Sequence, residues 1–462
     1  MTTMDIATVD ALRRTLGGSL LRPGDDGFAE STFLWNALID RTPELVVQPR
    51  DTHDVAAAVD FARAHGMPVS VRGGGHNIAG TALAEGGVTI DMGRLRSVVV
   101  DCDRRLAIVE PGCQLGDVDR AAQEHGLATP LGFVSEVGVA GLTLGGGLGY
   151  LTRRFGWAVD NLVEVEIVTS DGLVRRASRE DNADLFWAVR GAGANFGVVT
   201  SFTFRLHEVG PTVVGGLVAW PHERADEILG AYRALTEEAP RELAVWLLLL
   251  HAPPAPFVPP EWHGRKICAM AVCYSGPLDR KEEALAPIRA LGDPILDLLH
   301  EQPYVEVQSY LDATEPKGIC HYWRTEFLAE LDEALLETMR DLAHESDLPE
   351  AEIGVLHLGG ALNERDEDDG AVGNRDARYA IGAKAMWAPD DPTGARLPSW
   401  VRAAHERLRP FSTGRTYVNF HGHDEGGDRV RATYGANYDR LVELKRRYDP
   451  DNLFRSNRNI AP

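Results

Sequence analysis

Hydrophobic positions in the N-terminal half fall into short β-type runs and stretches of helical spacing, most of them bounded by glycine, proline or aspartate. Leu45-Val46-Val47 and Pro68–Val71 read as strands. Between them Val55, Val59 and Ala62 recur at helical spacing, with Thr52 as the predicted N-cap and Gly66 as the stop. Residues 45–71 are therefore expected to form a βαβ unit. Ahead of it, residues 1–38 read as a helical segment followed by a loop at Arg22–Gly27. Short β segments follow at Val88–Ile90, Ser97–Val100 and Leu106–Val109, then a helix over Leu115–His125 that stops at Gly126. Leu162–Thr169 leads into the hairpin signal Asp171-Gly172, Asn182–Val189 reads as a short helix, and Val198–Phe204 as a strand.

Past Glu208-Val209-Gly210-Pro211 the glycine density drops, which marks a domain boundary. Strands are predicted at Val213–Val218, Ala244–Leu250, Lys266–Cys273, Val305–Gln308, Ile353–Leu358 and Tyr379–Met386, with helices near 223–239, 279–291, 327–344 and 399–408. This pattern is an antiparallel sheet backed by helices. Loops Pro253–Pro260 and Asn363–Asn374 are too polar or proline-rich for a core and read as solvated loops or as the border of a site entrance. Near the C-terminus Leu441, Leu444 and Tyr448 share one helical face, which should pack back on the N-terminal unit. Alternation along Thr416–Asn419 points Tyr417 and Asn419 to one side of an extended segment.

Composition narrows the function. A chain of 462 residues has room for two or three packed units. Its net charge of −22 disfavours nucleic acid or an anionic membrane as partner. No apolar run is long enough for a membrane span, and MTTMDIATVDALRR lacks the apolar core of a signal peptide, so a cytoplasmic monomer or homodimer is expected. Five cysteines without a CxxC fit reduced thiols.

Three glycine-rich stretches carry the candidate chemistry. Val71–Gly80, reading VRGGGHNIAG, sets three glycines between a predicted strand and His76-Asn77. Such a turn lets the backbone approach a ligand and exposes N–H groups able to cradle a pyrophosphate. A neutral histidine at its tip is a nucleophile able to bond an activated cofactor methyl. The second stretch, Gly138–Gly149, has six glycines in twelve residues, too many for an ordinary helix or strand interior. The third is Gly191–Gly197. It superficially resembles a Rossmann fingerprint, but a β-rich run follows it where a helix is required. GxxxxGK[ST], HExxH and GxSxG are absent, and His421-Gly422-His423-Asp424 lacks a remaining ligand set, so no metal is expected.

Val71–Gly80, Thr89–Met92, Val137–Gly149 and Tyr434–Pro462 together resemble the berberine-bridge-enzyme-like family of FAD-linked oxidases, within the vanillyl-alcohol-oxidase/PCMH-type flavoprotein superfamily. The resemblance covers essentially the whole chain, most strongly residues 40–205 and 415–462. It implies an α+β fold: a PCMH-type FAD-binding domain of two α/β subdomains over 1–209 (core about 40–207), a substrate domain over 210–410, and a C-terminal segment, 411–462, returning to the FAD domain. It implies FAD carried on the 8α-methyl by His76, with Arg72, Gly73, Gly74, Gly75, Asn77 and Gly80 beside it. From the second stretch it brings Ser135, Val137, Gly138, Gly141, Gly145, Gly146 and Gly149 to the cofactor; Val199 would meet the adenine through its backbone, and Asn459 would lie near the flavin ring. Doubly linked relatives use a cysteine where aligning Pro130-Leu131-Gly132-Phe133 places Val134, so a single covalent link is expected, as in singly linked bacterial members.

Removing a hydride from a substrate C–H beside an O–H or N–H is helped by a nearby base. Tyr417 is the first candidate for that base or for the hydrogen bond that positions the substrate, with Asn419 as support. Gly382 stands where some relatives carry a carboxylate base, with Lys384 close in sequence. His357, Tyr150 and, more weakly, His321 are further candidates. In the family, the position of Val137 gates oxygen, and a small residue there implies an oxidase releasing hydrogen peroxide. A dehydrogenase with another acceptor and a flavin-bearing sequestering protein are the rival classes. Family substrates span secondary alcohols, sugar hemiacetals, cyclic amines and polyketides.

Overall fold

The computed structural model describes residues 5–462; the first four residues of the predicted N-terminal segment lie outside them. A helix, Ile6–Thr15, opens the described chain. The strands Ser19–Leu21, Leu45–Gln48, Val88–Asp91 and Val69–Arg72 then form a small sheet in that spatial order. Leu45–Gln48 and Val69–Arg72 do not touch: each pairs in parallel with Val88–Asp91, which lies between them and opens the expected βαβ unit. Helix Thr52–Ala64 buries Val55, Ala58, Val59 and Ala62 against this sheet. Its N-cap is Asp51, whose side chain accepts from Asp54 N; the Thr52 hydroxyl donates instead to Glu166 Oε1 at 2.8 Å.

A second, wholly antiparallel sheet follows, ordered Val98–Asp101, Leu106–Val109, Val198–Arg205, Leu162–Val168, Val174–Ser178. The second glycine stretch departs from expectation, because Val139–Leu144 is a short helix. Only Gly141 falls inside it, and burial of Val139, Ala140 and Thr143 outweighs a glycine cost of about 1 kcal/mol. The remaining glycines, 145–147 and 149, form the turn that follows.

The chain leaves the second sheet at a cis Gly210–Pro211 bond and enters an eight-stranded antiparallel sheet. Thr212–Pro221, Lys266–Tyr274, Leu243–His251, Ala351–His357, Tyr379–Trp387 and Cys320–Leu328 lie side by side in it. Cys320–Leu328 is a strand the sequence did not announce, and the helix expected from 327 starts at Glu333 because that strand runs on to Leu328. The expected strand Val305–Gln308 is a helix, Tyr304–Gln308, which buries Tyr304, Val307 and Gln308. Ala225–Glu238, Glu333–Glu345 and Leu397–Leu408 cover one face, packing Tyr232, Leu335 and Val401 on Val245, Val355 and Ile381. The other face, carrying Trp246 and Leu356, turns toward the glycine-rich half.

Two loops depart from their reading. Residues 371–375 are buried against the glycine-rich half, Val372 N donating to Arg190 O. Val258 of the proline-rich loop is buried beside Leu248 and Leu250. Helix Tyr438–Tyr448 packs Leu441, Leu444 and Tyr448 into the same core as Phe186 and Trp187. It also buries Lys445, whose ammonium is satisfied by Asn195 O, Phe454 O and Asp449 Oδ2. Thr416–Asn419 is not extended throughout: Tyr417 is, but a 3₁₀ turn spans Val418–Phe420.

Candidate active site

The strand Val69–Arg72 delivers the RGGGH turn at the end of the small parallel sheet, where open α/β sheets place ligands. Arg72 pins the turn's base, its Nη1 donating to Asp91 Oδ1 at 3.0 Å, so this arginine is spent inside the protein. Gly75 follows at φ +68°, a conformation that favours glycine. Asn77 closes the loop by accepting from Ala79 N and Thr81 N.

His76 is held as a neutral imidazole. Its ring stacks on Trp35 (centroids 4.8 Å, 22° between planes), and burial, with Lys317 and His321 nearby, pushes its pKa down to about 3. Its Nε2 is buried and has no hydrogen-bond partner. An uncharged ring with an unspent nitrogen has the character of a nucleophile or a ligand-facing group. Trp35 carries His321 on its ring as well, at 3.5 Å. Beside it, Asn36 donates to Ile78 O and His321 O and accepts from His321 N, tying the RGGGH loop to the large sheet.

The first two glycine stretches cross in direct backbone contact. A Cβ on Gly74 would lie 2.5 Å from Gly138 N, and one on Gly138 would lie 2.3 Å from Gly74 N. Several other predicted cofactor glycines have protein neighbours. A Cβ at Gly80 would meet Ile39, one at Gly145 the Asn419 amide, one at Gly146 Val372, and one at Gly149 the Leu131 carbonyl. Gly141 differs: a Cβ there would meet nothing within 4 Å. Ser135 is engaged by the segment ahead of the strand Cys320–Leu328, its N and Oγ donating to Asp312 at 2.7 and 2.5 Å. Val137 is half-buried on the main core, and Val199 sits beside a β-bulge against the strand Leu162–Val168. Asn459 leaves a buried, unpartnered Oδ1.

Tyr417 and Asn419 do meet, through a hydrogen bond and not through strand alternation. Asn419 Nδ2 and Gly147 N both donate to the Tyr417 hydroxyl at 2.8 Å. Burial raises that phenol above its ordinary range, and its ring stacks on Trp157. A buried hydroxyl already accepting two hydrogen bonds is a brace for the glycine turn and a poor proton acceptor at neutral pH. His357 is a correction: it shares the helix-facing side of its strand with Ile353 and Val355, hydrogen-bonds Arg153 and stacks on Tyr379. It therefore points away from the site-facing side. Tyr150 is on that side, stacked on Trp246 at 4.4 Å with Phe133 edge-on to the same indole.

Gly382 and Lys384 share the site-facing side with Trp323 and Glu352. Trp35, Asn36, Glu315 and Glu352 were missed by sequence reasoning. Trp35 and His321 are 286 positions apart, so no local signal connects them. Among the described residues no cluster of His, Cys, Asp and Glu fit for a metal is formed, and no helix is long and apolar enough to cross a membrane.

The family model described as "FAD binding domain" matches residues 43–178, and the one described as "Berberine and berberine like" matches residues 416–461. An FAD-linked oxidoreductase of Dictyostelium discoideum is 31% identical over 460 residues, covering 98% of this chain and 97% of that protein. The (R)-6-hydroxynicotine oxidase of Paenarthrobacter nicotinovorans is 31% identical over 464 residues, covering 97% of each. The crystal structure of 6-hydroxy-D-nicotine oxidase from Arthrobacter nicotinovorans superposes with a TM-score of 0.87 at 27% identity, covering 97% of this chain and 98% of that one. The chain belongs to the berberine-bridge-enzyme-like family of FAD-linked oxidoreductases. It is an enzyme with an FAD-binding domain.

Proposed function

We propose that this enzyme is an oxidase that carries FAD covalently on His76, takes a hydride from a CH–OH or CH–NH group of a small organic molecule, and passes the electrons to oxygen to give hydrogen peroxide. The observation that carries the reading is the neutral, Trp35-stacked imidazole whose Nε2 is buried and unspent. The open space at Gly141 and the orphaned Asn459 Oδ1 fit a large polar ligand lying along the glycine-rich surface. FAD bound there would supply the two-electron acceptor that no side chain provides.

The chain's own residues have defined tasks in this reading. His76 would hold the cofactor, and the Gly74/Gly138 crossing would set the backbone beneath it. Tyr417 and Asn419 keep the turn at Gly145–Gly147 rigid. Tyr150, Trp246 and Trp323 give the substrate side an aromatic lining that excludes water. Val137, small and half-buried, leaves room for oxygen. The test is to screen alcohols, sugars and amines for bleaching of the yellow chromophore without air, then to measure peroxide under air. Bleaching followed by peroxide release supports the oxidase. Bleaching that only an artificial acceptor reverses would make it a dehydrogenase, and no bleaching by any compound would favour sequestration.

A further inference from the structure

The site-facing side of the large sheet holds a hollow with a charged rim. Register sets Gly354 directly beside Gly382, and Glu352 beside Lys384 beside Trp323. Alternate residues of these strands, Ile353, Val355 and Ile381, face the helices, so both glycines and all three larger side chains face the site. The two adjacent glycines leave that face half-exposed, with Thr325 closing it on the Gly382 side, where a Cβ would lie 3.0 Å from Thr325 Cγ2. A Cβ at Gly354 would lie 3.4 Å from Leu248 Cδ2 and 3.6 Å from Glu352 Oε1, so the carboxylate leans over the gap.

The rim carries one acidic charge more than its lysine neutralises. Lys384 pairs closely with Glu315 and stands 3.9 Å from Glu352 Oε2, which leaves two carboxylates to one ammonium. Among the described residues no donor hydrogen-bonds the Glu352 carboxylate, and burial raises its pKa. His321 supplies an independent sign of a missing donor. It is fully buried, and its Nε2 must carry the proton because it donates to Pro316 O at 3.0 Å. Its Nδ1 is therefore a lone pair, unpartnered, 3.9 Å from Glu315 Oε2. Burial pushes this histidine down to about 4, so the ring stays neutral at physiological pH. Two acceptors facing each other with no donor between them mark a place for an N–H. The rim is one indole ring away from His76, since Trp35 stacks on both histidines.

We propose that the Gly354/Gly382 hollow receives the flat part of a substrate amine, whose protonated nitrogen is recognised by Glu352 and the Glu315–His321 pair. This rests on the reading that the same face of the sheet is the substrate side of a flavin site. The class selected is a compact aryl or cyclic amine in its cationic form. Neutral alcohols of the same shape bind less tightly, because they bring no charge to the rim. Carboxylates are excluded by the surplus acid.

The test uses the full-length yellow protein at neutral pH with three probes of one shape: benzylamine, benzyl alcohol and benzoate. Binding is read by the shift in thermal unfolding midpoint and by perturbation of the visible flavin spectrum. Benzylamine is expected to bind about tenfold or more tighter than benzyl alcohol, and benzoate not at all. In Glu352→Gln the amine should fall to the level of the alcohol. Gly354→Leu, which fills the hollow against Leu248 and the Glu352 carboxylate while keeping every charge, should abolish binding of all probes and covers the case in which the glutamine variant does not fold. Equal binding of the three probes, or an undiminished amine preference in Glu352→Gln, would overturn the proposal. Colour that survives acid precipitation beside unselective binding would sink this inference alone. Loss of colour would instead sink the covalent-flavin reading, and thermal shifts would still report selectivity on the colourless protein.

Discussion

Gly74 and Gly138 touch backbone to backbone, each occupying the space where the other's Cβ would stand. This contact welds the RGGGH turn to the start of the helix Val139–Leu144. Gly138→Ala must push the two segments apart, at a cost of about 1–3 kcal/mol for overpacking. The expected result is a lower urea midpoint together with substoichiometric FAD, measured as the flavin-to-protein ratio of purified protein.

Gly141→Ala separates fold from cofactor. Nothing lies within 4 Å of a Cβ there, and the residue is inside a helix, so alanine should leave stability unchanged or raise it by up to about 1 kcal/mol. If the open space belongs to FAD, the same variant loads less of it. A normal urea midpoint with a reduced flavin-to-protein ratio is the expected pair of results.

Removing the Tyr417 hydroxyl leaves the buried Gly147 N–H without an acceptor. Tyr417→Phe is expected to lose about 1–3 kcal/mol of stability, read in urea unfolding. Because the phenol is a brace and not the base, the pH profile of flavin reduction by substrate should keep its shape. A profile that lost one limb in the variant would return the base to Tyr417.

Buried histidines set the response to acid. Burial pushes His421 down to about 3, His207 and His321 to about 4, and His357 well below its ordinary range. In the unfolded chain each titrates near 6.5, so below that pH the unfolded state takes up protons that the native state refuses. Stability is therefore lost as pH falls from about 6.5 toward 4. Asp119 acts in the opposite sense: burial raises it to about 7, so the native state protonates first and is favoured as pH drops from 7 toward 4. The depressed histidines outnumber the two carboxyls that burial raises, Asp119 and Glu352, and make the protein acid-labile. Thermal midpoints across this range should fall on the acid side. Asp119→Asn should raise the midpoint more at about pH 8 than at about pH 5, because only at the higher pH does the native state hold a buried charge there.

Local chemistry was legible in the sequence where neighbours along the chain decide it. The RGGGH turn, the Gly66 stop, the Asp171-Gly172 hairpin and the Leu441/Leu444/Tyr448 face depend on residues a few positions apart. What distant segments decide was hidden. Val305–Gln308 has a strand's composition but becomes a helix, burying Val307 and Gln308 between sheet and FAD domain. Tyr417 and Asn419 were paired correctly for a wrong reason: a turn and a shared hydrogen bond bring them together. His357 was misjudged because strand parity assigns a face only once the strand's partners are known. In the same way, nothing local links Trp35 to His321 or marks Gly354 as the neighbour of Gly382.

The bond between His76 and the cofactor is tested most directly by precipitating the purified protein in acid and washing the pellet. Wild-type protein should come down yellow, with flavin fluorescence on its band after denaturing electrophoresis, while His76→Ala should give a colourless pellet and free FAD in the supernatant. A colourless wild-type pellet, or colour that stays on the His76→Ala polypeptide, would contradict the covalent-flavin account.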